Sequence, residues 1–134
     1  MVGGSKLFTI IIIKKMKKIR KLCSSFSNAY RGLAYVVSKE QNFRIELIAG
    51  VVIIVTMIIL KVERWEAVAL SFAIGGVLIV EMLNTLVERI VNIFKPRMHP
   101  HAGIVKDIMA SAVFVASIGA TVIGIIIFWP YIFG

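Results

Sequence analysis

The chain is poor in the residues that most small folds use as staples and breakers. Cys23 is its one cysteine, so no intramolecular disulfide can form. Two of the three prolines, together with Gly103, fall in KPRMHPHAG (95–103) and mark it as a loop. Acidic residues are scarce, seven against sixteen basic ones, for a net charge of +9. That excess does not point to nucleic acid, because the lysines and arginines are not interleaved with aromatics for base stacking and instead border apolar runs. Anionic lipid headgroups and a bound polyphosphate fit them better. Standard nucleotide machinery is missing as well: there is no G-x-x-x-x-G-K-[ST] loop, no G-x-G-x-x-G after a strand and no serine elbow. His99 and His101 flank Pro100, but a zinc site needs further ligands and Cys23 is the sole thiol. An enzyme here must build its site from carboxylates, an asparagine and basic groups carried on helices.

What the chain has in abundance is apolar side chains. It is 59% hydrophobic with a mean hydropathy of +0.92, well above the roughly 45–50% of soluble domains. This composition predicts an all-α membrane protein of one small domain. Residues 1–13 form an N-terminal extension whose apolar run, Leu7 to Ile13, is too short to span and is followed by no small-residue cleavage site. Over 14–45, Ile19, Leu22, Phe26, Tyr30, Leu33 and Val37 recur at steps of three and four beside Lys14, Lys15, Lys17, Lys18, Arg20 and Lys21. That is an amphipathic helix lying in the interface. Residues 46–134 hold three expected spans at about 46–60, 65–94 and 107–128, with KVERWE (61–66) as a tight turn and WPYIFG at the far interface.

Lysine and arginine placement sets the orientation. Ten lie in the N-terminal part, four lie between 89 and 106, and only Lys61 and Arg64 fall on the other side. The N-terminus and the 89–106 loop are therefore expected in the cytoplasm and the C-terminus outside.

The second span is longer than hydrocarbon requires, and its emergent end reads EMLNTLVERIVN (81–92). On a helix Glu81, Asn84, Glu88 and Asn92 share a stripe about 80° wide. An ionised Glu81 against lipid would be costly, so it should face a cavity, a protein interior or a cation. Each polar group has a plain reading beside the functional one. Asn84 can bond a neighbouring helix, and Glu88 can pair with Arg89 or Lys95. Glu40 can pair with Arg44 at i, i+4, or turn toward Glu88, where two converging carboxylates suit Mg²⁺. Lys106 and Asp107 are either an interfacial lysine and a helix-start aspartate, or a phosphate ligand and its orienting partner.

The run EMLNTLVERIV (81–91), with FSNAYRGLAY (26–35), EQNFRIE (40–46), His99-Pro100 and KDIMASAV (106–113), closely resembles the small prokaryotic diacylglycerol kinase family, which includes the undecaprenol kinases of Gram-positive bacteria. The resemblance covers about residues 20–130. It implies a homotrimeric helical bundle in the bacterial inner membrane, each chain with three transmembrane helices and an amphipathic surface helix, and active sites shared between subunits. It also implies an ATP- and Mg²⁺-dependent kinase acting on a membrane lipid alcohol. By this resemblance Glu81 is the general base and Asn84 its support, while Glu40 and Glu88 hold Mg²⁺ on the ATP phosphates. Asn92, His99, Lys106 and Asp107 lie on the nucleotide side, and Arg44 and Glu46 on the lipid or subunit side. Two positions depart from the family pattern: Asn92 stands where Asp is usual, and Leu86 where a small residue is usual. A non-catalytic membrane scaffold, or a member impaired through Asn92, is the rival expectation.

Overall fold

The computed structural model describes the backbone of residues 3–94 and 101–134. Most of the loop expected at 95–103, with His99, lies outside the described residues. Four helices make up the described chain: α1 (Gly3–Lys39), α2 (Gln41–Leu60), α3 (Arg64–Phe94) and α4 (Ala102–Phe133). The last three are long and apolar enough to cross a membrane, and the protein is an all-α membrane protein. The chain divides at Ser38–Lys39 into two units.

In the first unit, α1 begins at Gly3 rather than near residue 14, because nothing between Lys6 and Lys14 breaks a helix. Its basic run and its apolar stripe share one amphipathic helix.

The second unit begins at Lys39, the last residue of α1, and the next residue, Glu40, has an extended backbone at φ −105°, ψ 116°. Helical periodicity runs through this point without a glycine or proline, so the expected helix over 14–45 ends six residues early and α2 starts at Gln41. The twenty residues of α2 rise about 30 Å, enough for the hydrocarbon core. It stops at Lys61, which adopts the left-handed conformation at φ 51°, ψ 46°. There the Lys61 N–H donates to the Ile58 carbonyl at 3.4 Å and the Val62 N–H to that of Met57 at 3.3 Å, closing the helix as a glycine turn normally would.

Helix α3, with 31 residues, rises about 46 Å and must emerge from a core of about 30 Å. It packs along α4 and more lightly on α2. Phe43, on α2, and Leu70, on α3, are the fully buried large side chains among the described residues. At Gly50 α2 lies close against α3: a Cβ there would lie 2.8 Å from Ile74 Cγ2. That methyl belongs to a β-branched side chain with one favoured helical rotamer, so it cannot swing aside. Gly50→Ala is expected to cost about 1–3 kcal/mol by overpacking, read as a lower midpoint of SDS unfolding in mixed micelles. An unchanged midpoint would contradict this close approach.

A polar clasp fixes the register of α3 against α4. Tyr131 Oη donates to Glu66 Oε2 at 2.5 Å, and the Glu63 N–H donates to both Tyr131 Oη and Glu66 Oε2 at 3.1 Å. Helix α4 therefore continues through Pro130, past the expected end of the span near 128. Pro130 sits in the last turn, where its missing N–H and ring disturb little helix downstream. Counting back along α4 from Tyr131 by the separation of Glu66 and Glu88 reaches Met109, within a turn of Lys106 and Asp107. The antiparallel register thus carries Glu88 and the head of α4 to the same level, at the end of the bundle opposite the clasp.

Candidate active site

Near that end one buried carboxylate has three others within electrostatic reach. Glu81 projects from α3 and is only 2% exposed. It lies within electrostatic reach of Glu40 and Glu88, and Glu46 lies within reach of it. Glu81 and Glu88 share a face because they are seven residues, about two turns, apart on one helix. Glu40 and Glu46 come from the extended residue before α2 and from its second turn. Anionic groups gathered in so apolar a setting call for a counter-charge.

The neutral partners are acceptors too. Asn84, one turn from Glu81, presents a buried Oδ1 without a hydrogen-bond partner, and Glu46 Oε2 is in the same condition. Thr85, also on α3, is buried. Buried acceptors without donors are rare in folded proteins, and two of them beside a buried carboxylate leave room for a group that supplies hydrogen bonds or positive charge. One cation is already engaged: Arg89 Nη2 donates to Glu40 Oε1 at 2.9 Å, with the arginine side chain 49% and the glutamate 24% exposed. Glu40 thus makes an ion pair that joins two helical segments.

The other expected site residues are spread more widely. Arg44 is exposed on the first turn of α2, and Asn92 is exposed near the end of α3. Lys106 is half-buried and Asp107 exposed on the first turns of α4, at the level of Glu88. Sequence reasoning missed the Glu40–Arg89 pair; Arg89 was read only as a neighbour for Glu88.

The donor set can be tested against a metal. No three His, Cys, Asp or Glu side chains among the described residues converge into a cage. What Glu40 and Glu88 offer is oxygen alone, and Mg²⁺ is commonly held by one or two carboxylates with substrate phosphates completing its shell. The residues fit Mg²⁺ carried on a polyphosphate.

Beneath this cluster, α2, α3 and α4 line an open apolar cavity of about 650 Å³, within the size range of small-molecule sites. Glu46, Gly50, Ile74 and Leu78 line one side, and Ser117 and Gly124 of α4 the other. Trp129 and Phe133 border it toward the clasp, packed 4.8 Å apart between ring centroids. Glu46 is the one carboxylate in its wall among the described residues.

Comparison with known proteins identifies the family. The family model for prokaryotic diacylglycerol kinase matches residues 27–128, which take in the carboxylate cluster, most of the cavity wall and most of α4. The chain is 29% identical to the undecaprenol kinase of Bacillus subtilis (strain 168), over 84% of this chain and 92% of that one. It is 35% identical to a diacylglycerol kinase of a Synechocystis species, over 77% of this chain and 59% of that one. Against the diacylglycerol kinase of Escherichia coli (strain K12) the identity is 30%, over 77% of this chain and 84% of that one. A buried carboxylate on a membrane-crossing helix, three further carboxylates around it and a match across most of the chain lead to one conclusion: this protein belongs to the prokaryotic diacylglycerol kinase family and is a lipid kinase.

Proposed function

We propose that this chain transfers the γ-phosphoryl group of ATP to the hydroxyl of a membrane lipid alcohol, undecaprenol or diacylglycerol, with Mg²⁺. The observation that carries this reading is Glu81, a carboxylate 2% exposed within a membrane-crossing helix and within reach of Glu40 and Glu88. A buried carboxylate with a vacant acceptor one turn away is suited to receive a proton from a hydroxyl at the membrane surface.

In the reaction, the lipid hydroxyl approaches Glu81 and loses its proton to that carboxylate as its oxygen attacks the γ-phosphorus. The bond between the γ-phosphorus and the β,γ-bridging oxygen breaks in line, and ADP leaves with the electron pair. Such a transition state requires positioning and charge neutralisation more than covalent help, which a small helical scaffold can supply. Asn84, one turn from Glu81 on the same face of α3, supports the base. Glu40 and Glu88 hold Mg²⁺, which when bound neutralises charge on the phosphate oxygens. Lys106, Asp107, Asn92 and His99 form the nucleotide side. Arg44 and Glu46 stand on the lipid side, where the cavity below Glu46 receives part of the substrate's tail.

Lipid enters laterally and ATP enters from the cytoplasm, the side that carries fourteen of the sixteen lysines and arginines. A homotrimer closes the site. A Cβ at Gly75, Gly76 or Gly119 would meet no atom of another part of this chain within 4 Å, and such bare backbone lets helices of neighbouring subunits pack closely.

The test is a labelled-ATP assay on vesicles offering diacylglycerol or undecaprenol separately. Labelled phosphatidic acid or undecaprenyl phosphate is the expected product and identifies the acceptor. Label in neither lipid, from folded protein with Mg²⁺ present, overturns the proposal.

A further inference from the structure

Arg89 occupies a place that the reaction above does not use. It follows Glu88 directly on α3 and bonds Glu40, which is 49 residues away in sequence, at 2.9 Å. One guanidinium therefore bonds one of the two carboxylates proposed to share the divalent cation and sits next in sequence to the other. Glu40 has the N-cap position of α2 but makes no capping hydrogen bond with its side chain. Its carboxylate is held by Arg89 instead.

We propose that Arg89 makes the site choose the metal–triphosphate complex over the bare divalent cation. This rests on the reading that the carboxylates bind Mg²⁺ on ATP. For a bare cation, Arg89 is a disadvantage on two counts: it adds a like charge beside the ion and it already occupies Glu40 Oε1. The metal–triphosphate complex has the opposite sign, because its net charge is negative and its phosphate oxygens are good acceptors for a guanidinium fork. With Glu40 Oε1 accepting from Arg89, a cation would be held through the other carboxylate oxygen, Oε2. Arg89 is thus a positioning and specificity-determining residue, which fixes Glu40 next to α3 and sets the charge of the site so that metal arrives with nucleotide.

The experiment measures Mn²⁺ binding by electron paramagnetic resonance to the full-length protein in detergent, with and without AMP-PCP, an ATP analogue whose β,γ-bridge is not cleaved. Arg89→Gln is expected to tighten binding of Mn²⁺ alone about threefold and to weaken binding of Mn²⁺ with AMP-PCP about tenfold. Arg89→Lys, which keeps the charge but not the fork, should keep the wild-type sign of both and lose only part of the nucleotide-dependent affinity. If both affinities of Arg89→Gln move the same way, or neither moves, the proposal is overturned while the kinase reading stands. Should Arg89→Gln fail to fold, Arg89→Lys decides: a preference for the complex below a third of the wild-type value overturns the claim that charge sets it. A wild type that binds neither probe overturns this inference and the metal–nucleotide reading together.

Discussion

Glu81→Gln should lower kcat for lipid phosphorylation by about 10²–10⁴-fold, the usual contribution of a positioned general base, while leaving the protein folded. Glutamine matches glutamate in shape and fills the same buried position, so no cavity is created. It removes the one property the reaction needs, a carboxylate able to accept a proton from the hydroxyl. Helicity by circular dichroism and the elution volume in detergent should match wild type, which separates lost chemistry from lost structure. The buried setting adds a second readout: substituting a neutral amide relieves the repulsion from Glu40 and Glu88, so the variant should resist SDS unfolding at least as well as wild type. Full turnover in Glu81→Gln would remove the base from the account.

Glu88→Ala tests the metal side and should act on a different parameter. Glu88 is half-buried on the face that carries Glu81 and Asn84 and is offered to solvent at the emergent end of α3. Deleting one of two protein ligands leaves the substrate phosphates and Glu40 to hold Mg²⁺, so the concentration for half-maximal activity should rise on the order of a hundredfold. Saturating Mg²⁺ should recover part of kcat, because the proton acceptor is untouched. An unchanged Mg²⁺ requirement would favour the scaffold reading, in which the polar stripe only joins helices.

How much of this was legible in the sequence follows from the range of each interaction. The stripe Glu81, Asn84, Glu88 is a property of one helix and appears at once from its period. The excess length of α3 follows from counting residues against bilayer thickness. The break at Glu40 does not, because no local breaker marks it. The Glu40–Arg89 pair and the Tyr131–Glu66 clasp join residues 49 and 65 apart, and no pattern within either segment announces its partner. The cavity belongs to three helices at once, so each of its wall residues reads in sequence as ordinary apolar filler. Lys106 and Asp107 are an intermediate case: the motif places them, but only the α3–α4 register brings them level with Glu88.

The central claim is that Glu40 and Glu88, carried on different helical segments beside the buried Glu81, hold one divalent ion that also carries the triphosphate. Anomalous diffraction from crystals of the protein grown with Mn²⁺ and AMP-PCP locates that ion directly. The account predicts a single peak per site within direct coordination distance, about 2.1 Å, of carboxylate oxygens of both Glu40 and Glu88 and of the analogue's phosphates. A peak coordinated by neither glutamate would contradict it.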